Sequence, residues 1–410
     1  MRHQGINHQW MGHSNKIIVF NLIRVEGPIT RSEIARVSGL SKTAISSSVN
    51  KLLKQNLITE SKHEGYEQVG RKPHLLSVNP EAVYFVSIDI GFTETLFSIT
   101  NLDNQRVAKC KSETPRNWDQ ILNLIVKTTR GTSEWSEVPY EKVKGASIGI
   151  PGVVNEDGVV SYVPKIGNNQ KYPLKEKLAS KIDLPFILEN NDNLATLGES
   201  SAQYGDYPNL VYISFHRDGI GSGIVINGSL YRGGAHHAGE IGWLVTDKNR
   251  LRGKQKDNQG FLESHVTAPA ITEKCRSLLE ERDSHDPLLD KVKRPEDINS
   301  ETIFKSYRTS SVANQIIQEW VKDVATSLVA TSSILDPDII ILGGEIIEAA
   351  KPTFQELKEL IERHTQRTPK IEVSDNYLEN VLQGGAQICL ENLDELIWEE
   401  RGPPREDINF

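Results

Sequence analysis

From residue 83 onward the chain keeps running from an apolar, strand-like stretch into a glycine turn and out into an amphipathic segment, and few folds accommodate that alternation. "VYFVSIDIGFTETLFSITNL" predicts a strand ending at Ile90, a turn at "GFTE" and a second strand from about Thr95. "KVKGASIGIPGVVNEDGVV" predicts a buried strand ending on Gly149-Ile150-Pro151-Gly152, and "NLVYISFHRDGIGSGIVINGSLYRGGAHHAGEIGW" a further strand and glycine loop. A long helix over roughly 312–335 then leads into "DPDIIILGGEII", where a strand ends on Gly343-Gly344. Strands whose carboxyl ends open into glycine turns and helix starts build a two-lobed α/β body, with backbone N–H groups left over for polar or anionic ligands.

The first eighty residues obey a different rule. They carry 11 Lys and Arg against 5 Asp and Glu, whereas the remainder carries 36 against 50. A basic head on an acidic body suits a chain that meets a polyanion at one end only. Within the head, Ile17, Ile18, Phe20 and Leu22 lie in a first helix that stops at Gly27-Pro28. Thr30 and Glu33 have the spacing of a capping box, so a second helix starts at about Arg31 and stops near Gly39. Ser41 is positioned to cap a third. On that third helix Ile45, Val49, Leu52 and Leu53 recur at helical spacing, while Ser41, Lys42, Thr43, Ser46, Ser47 and Asn50 fall outside the apolar face. Hydroxyls, an amide and a lysine without an acid can approach phosphates and read base edges in a major groove. "LITESKHEGYEQVGRKPHLLSVNP" follows as a two-stranded wing whose basic tip holds Arg71 and Lys72. The unit is a winged helix-turn-helix, its expected partner double-stranded operator DNA read by a dimer with half-sites ~34 Å apart.

At ~150 residues per domain the length predicts two or three domains. The expected division is 1–80 for the winged helix, 81–200 and 201–390 for the two lobes, and 391–410 for a polar tail frayed around Pro403-Pro404. No apolar run approaches the ~20 residues of a membrane span, and "MRHQGINHQWMGH" lacks a signal-peptide core, so a cytoplasmic location is expected. Cys110, Cys275 and Cys389 form no C-x-x-C pair and are read as reduced thiols.

"DIGFT", "GIPG", "ENNDN…LGE", "GIGSGIVINGSLYRG", "AGEIGW", "GFLE" and "DPDIIILGG" stand in the order of the ROK family (repressors, open reading frames, kinases), which the chain resembles over nearly its whole length. The resemblance is to the winged-helix, sugar-responsive transcriptional repressors of that family. It implies an actin-like, hexokinase-type ATPase fold of two lobes with a sugar in the cleft.

Several positions depart from the family's kinases. Their stretch E-N-D-A-N-x-x-x-L-G-E carries an aspartate that acts as general base, and alignment from Gly198-Glu199 puts Asn191 there. An amide cannot accept that proton, so the ~10²–10⁴-fold of general-base catalysis is not available from it. Asp192, one residue on, is expected to cap a helix beginning near Leu194. Phe92 interrupts a loop resembling D-I-G-G-T, and Arg217-Asp218-Gly219-Ile220-Gly221 stands where the kinases resemble G-T-G-I-G. The family's structural zinc site is not matched either: Trp243 takes the histidine's position and Phe261 the last cysteine's, leaving His236, His237 and His265 without partner cysteines. No metal and no other cofactor is therefore expected.

The resemblance does keep the sugar side. Gly152, Asn190, Asn191, Glu240 and Glu263 match positions that hold sugar hydroxyls in the family, and Trp243 either stacks on an apolar sugar face or fills the volume of the missing zinc site. The expectation is a non-enzymatic repressor, a homodimer or dimer of dimers, that binds operator DNA and a small sugar or sugar phosphate. A DNA-binding kinase with residual activity and a repressor gated by a protein partner stay open as alternatives.

Overall fold

The computed structural model describes residues 8–62, 74–161, 170–217, 219–250, 259–281, 285–375 and 379–397, together with Val163, Ile166 and Tyr377. The head comprises α1 (His8–Glu26), β1 (Ile29–Thr30), α2 (Arg31–Ser38), α3 (Lys42–Lys54), β2 (Ile58–Lys62) and β3 (His74–Val78). Local chemistry sets these boundaries. Thr30 Oγ1 accepts the Glu33 N–H at 3.3 Å while Glu33 Oε2 accepts the Thr30 N–H at 2.9 Å, which closes the capping box. Gly39 ends α2 with a φ of 68°, and Ser41 Oγ accepts the Ala44 N–H at 3.2 Å to start α3. β3 is paired antiparallel by β2 on one side and by β1 on the other, one strand more than a two-stranded wing. On α1 the buried apolar side chains among the described residues are Val19, Phe20 and Ile23, whereas Ile18 is 43% exposed, so the apolar stripe sits slightly out of phase with the expected run.

The body is built from two five-stranded sheets that follow one plan. In the first, β4 (Tyr84–Ile90), β5 (Glu94–Asn101) and β6 (Arg106–Glu113) form an antiparallel meander, and β7 (Val143–Ile150) joins β4 in parallel. A small hairpin, β8 (Val153–Val154) with β9 (Val160–Ser161), follows before β10 (Phe186–Asn190) extends the sheet in parallel beside β7. In the second, β11 (Leu210–His216), β12 (Gly219–Ile226) and β13 (Ser229–Leu230) repeat the meander, and β14 (Ile339–Gly343) and β15 (Lys370–Val373) repeat the parallel pair. The orders β10-β7-β4-β5-β6 and β15-β14-β11-β12-β13 are thus equivalent, a duplication that the two lobes' sequences do not advertise.

Each lobe finishes with a helix laid against the other. The helix Asn191–Ala202 follows β10 but packs on β11 and β12, and the helix Asn380–Glu391 comes after β15 but packs on β4 and β7. By packing, the two crossings fall near residues 190 and 380, inside the spans read from sequence as 81–200 and 201–390. Where these helices meet, a Cβ on Gly384 would stand 1.7 Å from the Leu194 carbonyl oxygen and one on Gly198 2.2 Å from that of Asn380. Only glycine lets the backbones approach so closely. Beside the contact, Asn380 Nδ2 donates to Glu199 Oε1 at 2.5 Å and to Ser374 Oγ at 3.1 Å.

Head and body share a core. Cys389 and Leu390, at the end of the second crossing helix, and Leu393 and Leu396, on the short helix Leu393–Ile397, are buried in one apolar cluster with Phe20 and Leu52 of the head and Phe85 of β4. Burying a leucine fully stabilises by about 1.5–3 kcal/mol, so the segment set apart from residue 391 as a tail is packed into the core as far as Leu396; the end expected to fray around Pro403-Pro404 lies outside the described residues. Among the described residues no helix is long and apolar enough to cross a membrane.

Candidate functional site

On α3, helical periodicity sorts the side chains. Ile45, Val49 and Leu52 are buried, and Ser48 with them, whereas Ser41, Lys42, Thr43, Ser46, Ser47 and Asn50 are all exposed. Among the described residues the side chains of Lys42, Thr43, Ser46, Ser47 and Asn50 have no internal hydrogen-bond partner. Arg71 and Lys72, read as the wing tip, lie outside the described residues. Sequence reasoning passed over Arg31 at the start of α2, which pairs with Glu60 of β2, and Lys51 and Lys54 in the last turn of α3.

The second concentration of polar groups lies where the carboxyl ends of β4, β10 and β11 converge. Asn190 is the N-cap of the helix Asn191–Ala202: its Oδ1 accepts the N–H of Asp192 at 2.8 Å and of Asn193 at 3.2 Å. Its Nδ2 donates to the Gly152 carbonyl at 3.0 Å and so holds the glycine loop after β7. Asn191 donates from Nδ2 to Asp89 Oδ1 at 3.0 Å and to the Ile90 carbonyl at 3.1 Å. Its Oδ1 is buried over Gly149, without a hydrogen-bond partner among the described residues. Asp192, expected as the cap, has another task because the cap is already made two residues earlier, by Asn190. Its Oδ1 accepts a hydrogen bond from the Ser214 hydroxyl on β11, and its Oδ2 lies 1.8 Å from where a Cβ on Gly221 would stand.

Beneath these groups Glu189 is only 5% exposed. It accepts from the Asn190 N–H at 2.9 Å, from Asn193 Nδ2 at 2.8 Å and from Arg232 Nε at 2.6 Å, the last of these reaching across from the loop after β13. Farther out, Glu240 precedes the short turn Ile241–Trp243 and remains exposed, and Trp243 is 40% exposed. Glu263 opens the short helix Glu263–Val266 with its carboxylate oxygens 3.7 Å and 3.6 Å from the Cβ positions of Gly219 and Gly242. The structure therefore ties Asn190 to Gly152 by a hydrogen bond and the adjacent Asn191 to Asp89, while Glu240 and Glu263 stand near enough for their charges to repel.

The cleft is electrostatically one-sided. Burial pushes the Asp89 carboxyl up to about 6, with the charge of Asp192 adding to the shift and those of His216 and Lys109 opposing it. Desolvation also raises Glu240, helped by Asp192, and raises Glu263, helped by Glu240. Burial disfavours the His216 cation, yet the Glu345 carboxylate 3.5 Å away, together with Asp192 and Asp89, outweighs it and lifts the imidazole's pKa. Glu345 is lowered in return, chiefly by His216, and also accepts the Arg217 N–H at 3.2 Å. Beside this pair a cavity of about 820 Å³ opens, lined by Arg217, Pro269, Thr272, Asn299, Glu345 and Lys351 among others.

A model of the ROK family matches residues 85–387, most of the chain. This chain belongs to the ROK family. A model of the MarR family matches residues 14–65, so the head is a MarR-type helix-turn-helix ahead of a ROK body. The chain is 26% identical over 359 residues to a putative xylose repressor of Caldicellulosiruptor sp. (strain Rt8B.4), covering 87% of this chain and 89% of that one. Its fold is that of a ROK family transcriptional regulator described as a homologue of E. coli MLC protein, at a TM-score of 0.77 and 21% identity over 94% of this chain and 97% of the other. The body alone is similar to Lmo2764, a putative N-acetylmannosamine kinase from Listeria monocytogenes, at a TM-score of 0.62 and 25% identity over 76% of this chain and all of that one. The actin-like, kinase-type body and the winged-helix head expected from the sequence are both present.

Set against the ROK kinases' pattern, the departures take physical form. The amide of Asn191, which the resemblance puts at the kinases' base position, donates to Asp89, where a second carboxylate would face the first across a hydrogen-bond distance. Phe92 is 39% exposed in the turn between β4 and β5. Phe261, where the resemblance puts a zinc cysteine, stacks on His265 with centroids 4.3 Å apart, and His265 Nδ1 lies 2.7 Å from the Phe261 carbonyl. His236 stands 3.8 Å from Glu156. Among the described residues no three His, Cys, Asp or Glu side chains are grouped as metal ligands; Asp218 and 251–258 lie outside them. Sequence reasoning missed Ser214, His216, Arg232 and Glu345, and the one available signal was Glu189 itself, an acid at the end of an apolar strand.

Proposed function

We propose that the chain is a sugar-responsive transcriptional repressor that binds operator DNA as a homodimer or dimer of dimers and takes a small sugar or sugar phosphate between its lobes. The observation that carries this reading is the outward face of α3, a row of hydrogen-bonding side chains with no partner among the described residues, on a head fused to a ROK body. Ser41, Lys42, Thr43, Ser46, Ser47 and Asn50 are assigned to DNA, with Arg71 and Lys72 at the wing. Gly152, Asn190, Asn191, Glu240, Trp243 and Glu263 are assigned to the sugar, with the exposed Trp243 as a stacking platform. The repressor names of similar proteins and the fold shared with a transcriptional regulator support the same reading. So does the amide at the base position, which argues for a sensor rather than a kinase. A cytoplasmic location follows from the DNA target.

Coupling between the two sites runs through the helix Asn380–Glu391. It offers Gly384 to the crossing between the lobes and Cys389 and Leu390 to the core shared with the head. A sugar that favours one lobe arrangement therefore shifts DNA affinity by its preference for that arrangement and by no more. The test is a titration of the full chain against DNA from upstream of its own gene, with and without a panel of pentoses, hexoses and N-acetyl sugars. Specific binding altered by at least one sugar is expected. Indifference to every sugar, or ATP-dependent phosphorylation of one in a coupled assay, would overturn the reading.

A further inference from the structure

A glycine turn at the end of a strand ordinarily leaves backbone N–H groups for a ligand's phosphate. Here an anion of the protein itself stands just past the turn between β11 and β12, against Gly221 of β12. The Asp192 carboxylate sits against Gly221, so close that no side chain fits there, and the Ser214 hydroxyl donates to it. Asp89 and Glu240 feel its charge, and Glu263, whose carboxylate lies against the Cβ positions of Gly219 and Gly242, feels that of Glu240. The nearby cations are committed elsewhere: His216 to Glu345, Arg232 to Glu189, and Lys109 to Glu379 at 2.5 Å, while Arg217 lines the neighbouring cavity.

Resting on the sugar-sensor reading above, we infer that the effector of this cleft is an uncharged sugar and that Asp192, seated on Gly221, excludes the phosphate esters of that sugar. A phosphate brings close to two negative charges at neutral pH. In a partly desolvated cleft it would meet fixed carboxylates, while among the described residues His216, Arg232 and Lys109 are already paired with acids of the protein. The hydroxyls of a neutral sugar, by contrast, are what exposed or half-buried carboxylates such as Glu240 and Glu263 accept well.

The test is calorimetric titration of the full chain with D-xylose, D-glucose and N-acetyl-D-glucosamine, and with D-glucose 6-phosphate and N-acetyl-D-glucosamine 6-phosphate. At least one neutral sugar should bind, and the esters should bind at least tenfold more weakly. That gap should narrow at least threefold in Asp192→Asn, and also in the unaltered chain as salt rises and screens the repulsion. The salt series decides the matter if the variant fails to fold. An ester that binds as tightly as the neutral sugars overturns the inference and leaves the sensor intact. A gap that neither salt nor Asp192→Asn changes removes Asp192 as its cause and overturns the assignment equally. If neither sugars nor esters bind, the sensor reading falls and the inference falls with it.

Discussion

α3 and the helix Asn191–Ala202 both begin with short amides, hydroxyls and small polar groups, yet they use them in opposite ways. At α3 Ser41 caps and Ser48 is buried, but Lys42, Thr43, Ser46, Ser47 and Asn50 stand in solvent and have no partner among the described residues. On the second helix nearly every one is turned inward: Asn190 caps, Asn191 holds Asp89, Asp192 reaches Ser214 and Asn193 donates to Glu189. Unspent hydrogen-bonding capacity marks a surface awaiting an outside partner, whereas spent capacity marks a joint that fixes two parts of one molecule.

If that contrast is right, damage to the joint should unfold the protein and damage to the face should not. The largest effect is expected at the crossing. Gly384→Ala drives a Cβ into the Leu194 carbonyl and should cost about 3 kcal/mol in chemical denaturation. Next is Arg232→Ala, which leaves the Glu189 carboxylate buried with two remaining donors. Because Arg232 is itself 36% exposed, the loss should be about 2 kcal/mol, below the range for a fully buried pair. Asn50→Ala on α3 should leave stability within about 0.5 kcal/mol while weakening specific DNA binding roughly tenfold in a titration. Equal destabilisation by Asn50→Ala and Arg232→Ala would erase the distinction between face and joint.

The smallest effect expected is a pH dependence. Because the Asp89 carboxyl is raised to about 6, the folded state keeps this proton longer than the unfolded chain does. Stability from this group is fullest below about pH 4 and declines as pH rises through about 6. Asp89→Asn, which can still accept from Asn191, should flatten that decline and gain about 1 kcal/mol at pH 8, read as the difference between the two proteins' melting curves.

The same contrast explains what could be read in advance. The head was legible because its punctuation is local: Thr30 with Glu33, Gly39 and Ser41 each act within about one helical turn. The glycine turns of the body, and the long helix Ser311–Leu335, were legible for the same reason. The joint was not. Asp192 meets Ser214 across 22 residues, Glu189 meets Arg232 across 43 and Asn191 meets Asp89 across 102. No periodicity reports such pairs, and Asp192 read alone looked like a cap because its true partners lie on another strand. The duplicated sheet order escaped for a related reason: it is a property of strand pairing, which apolar alternation does not encode.

The cluster that joins Phe20 and Leu52 to Phe85, Leu390, Leu393 and Leu396 bears on how such a protein could be re-engineered. A head tethered by a linker could be exchanged for another as a free module. This one is moulded to its body, so a chimera that swaps residues up to 80 must carry matching changes at the far end of the chain. Without them it would present a raw apolar scar where a DNA-binding domain had been.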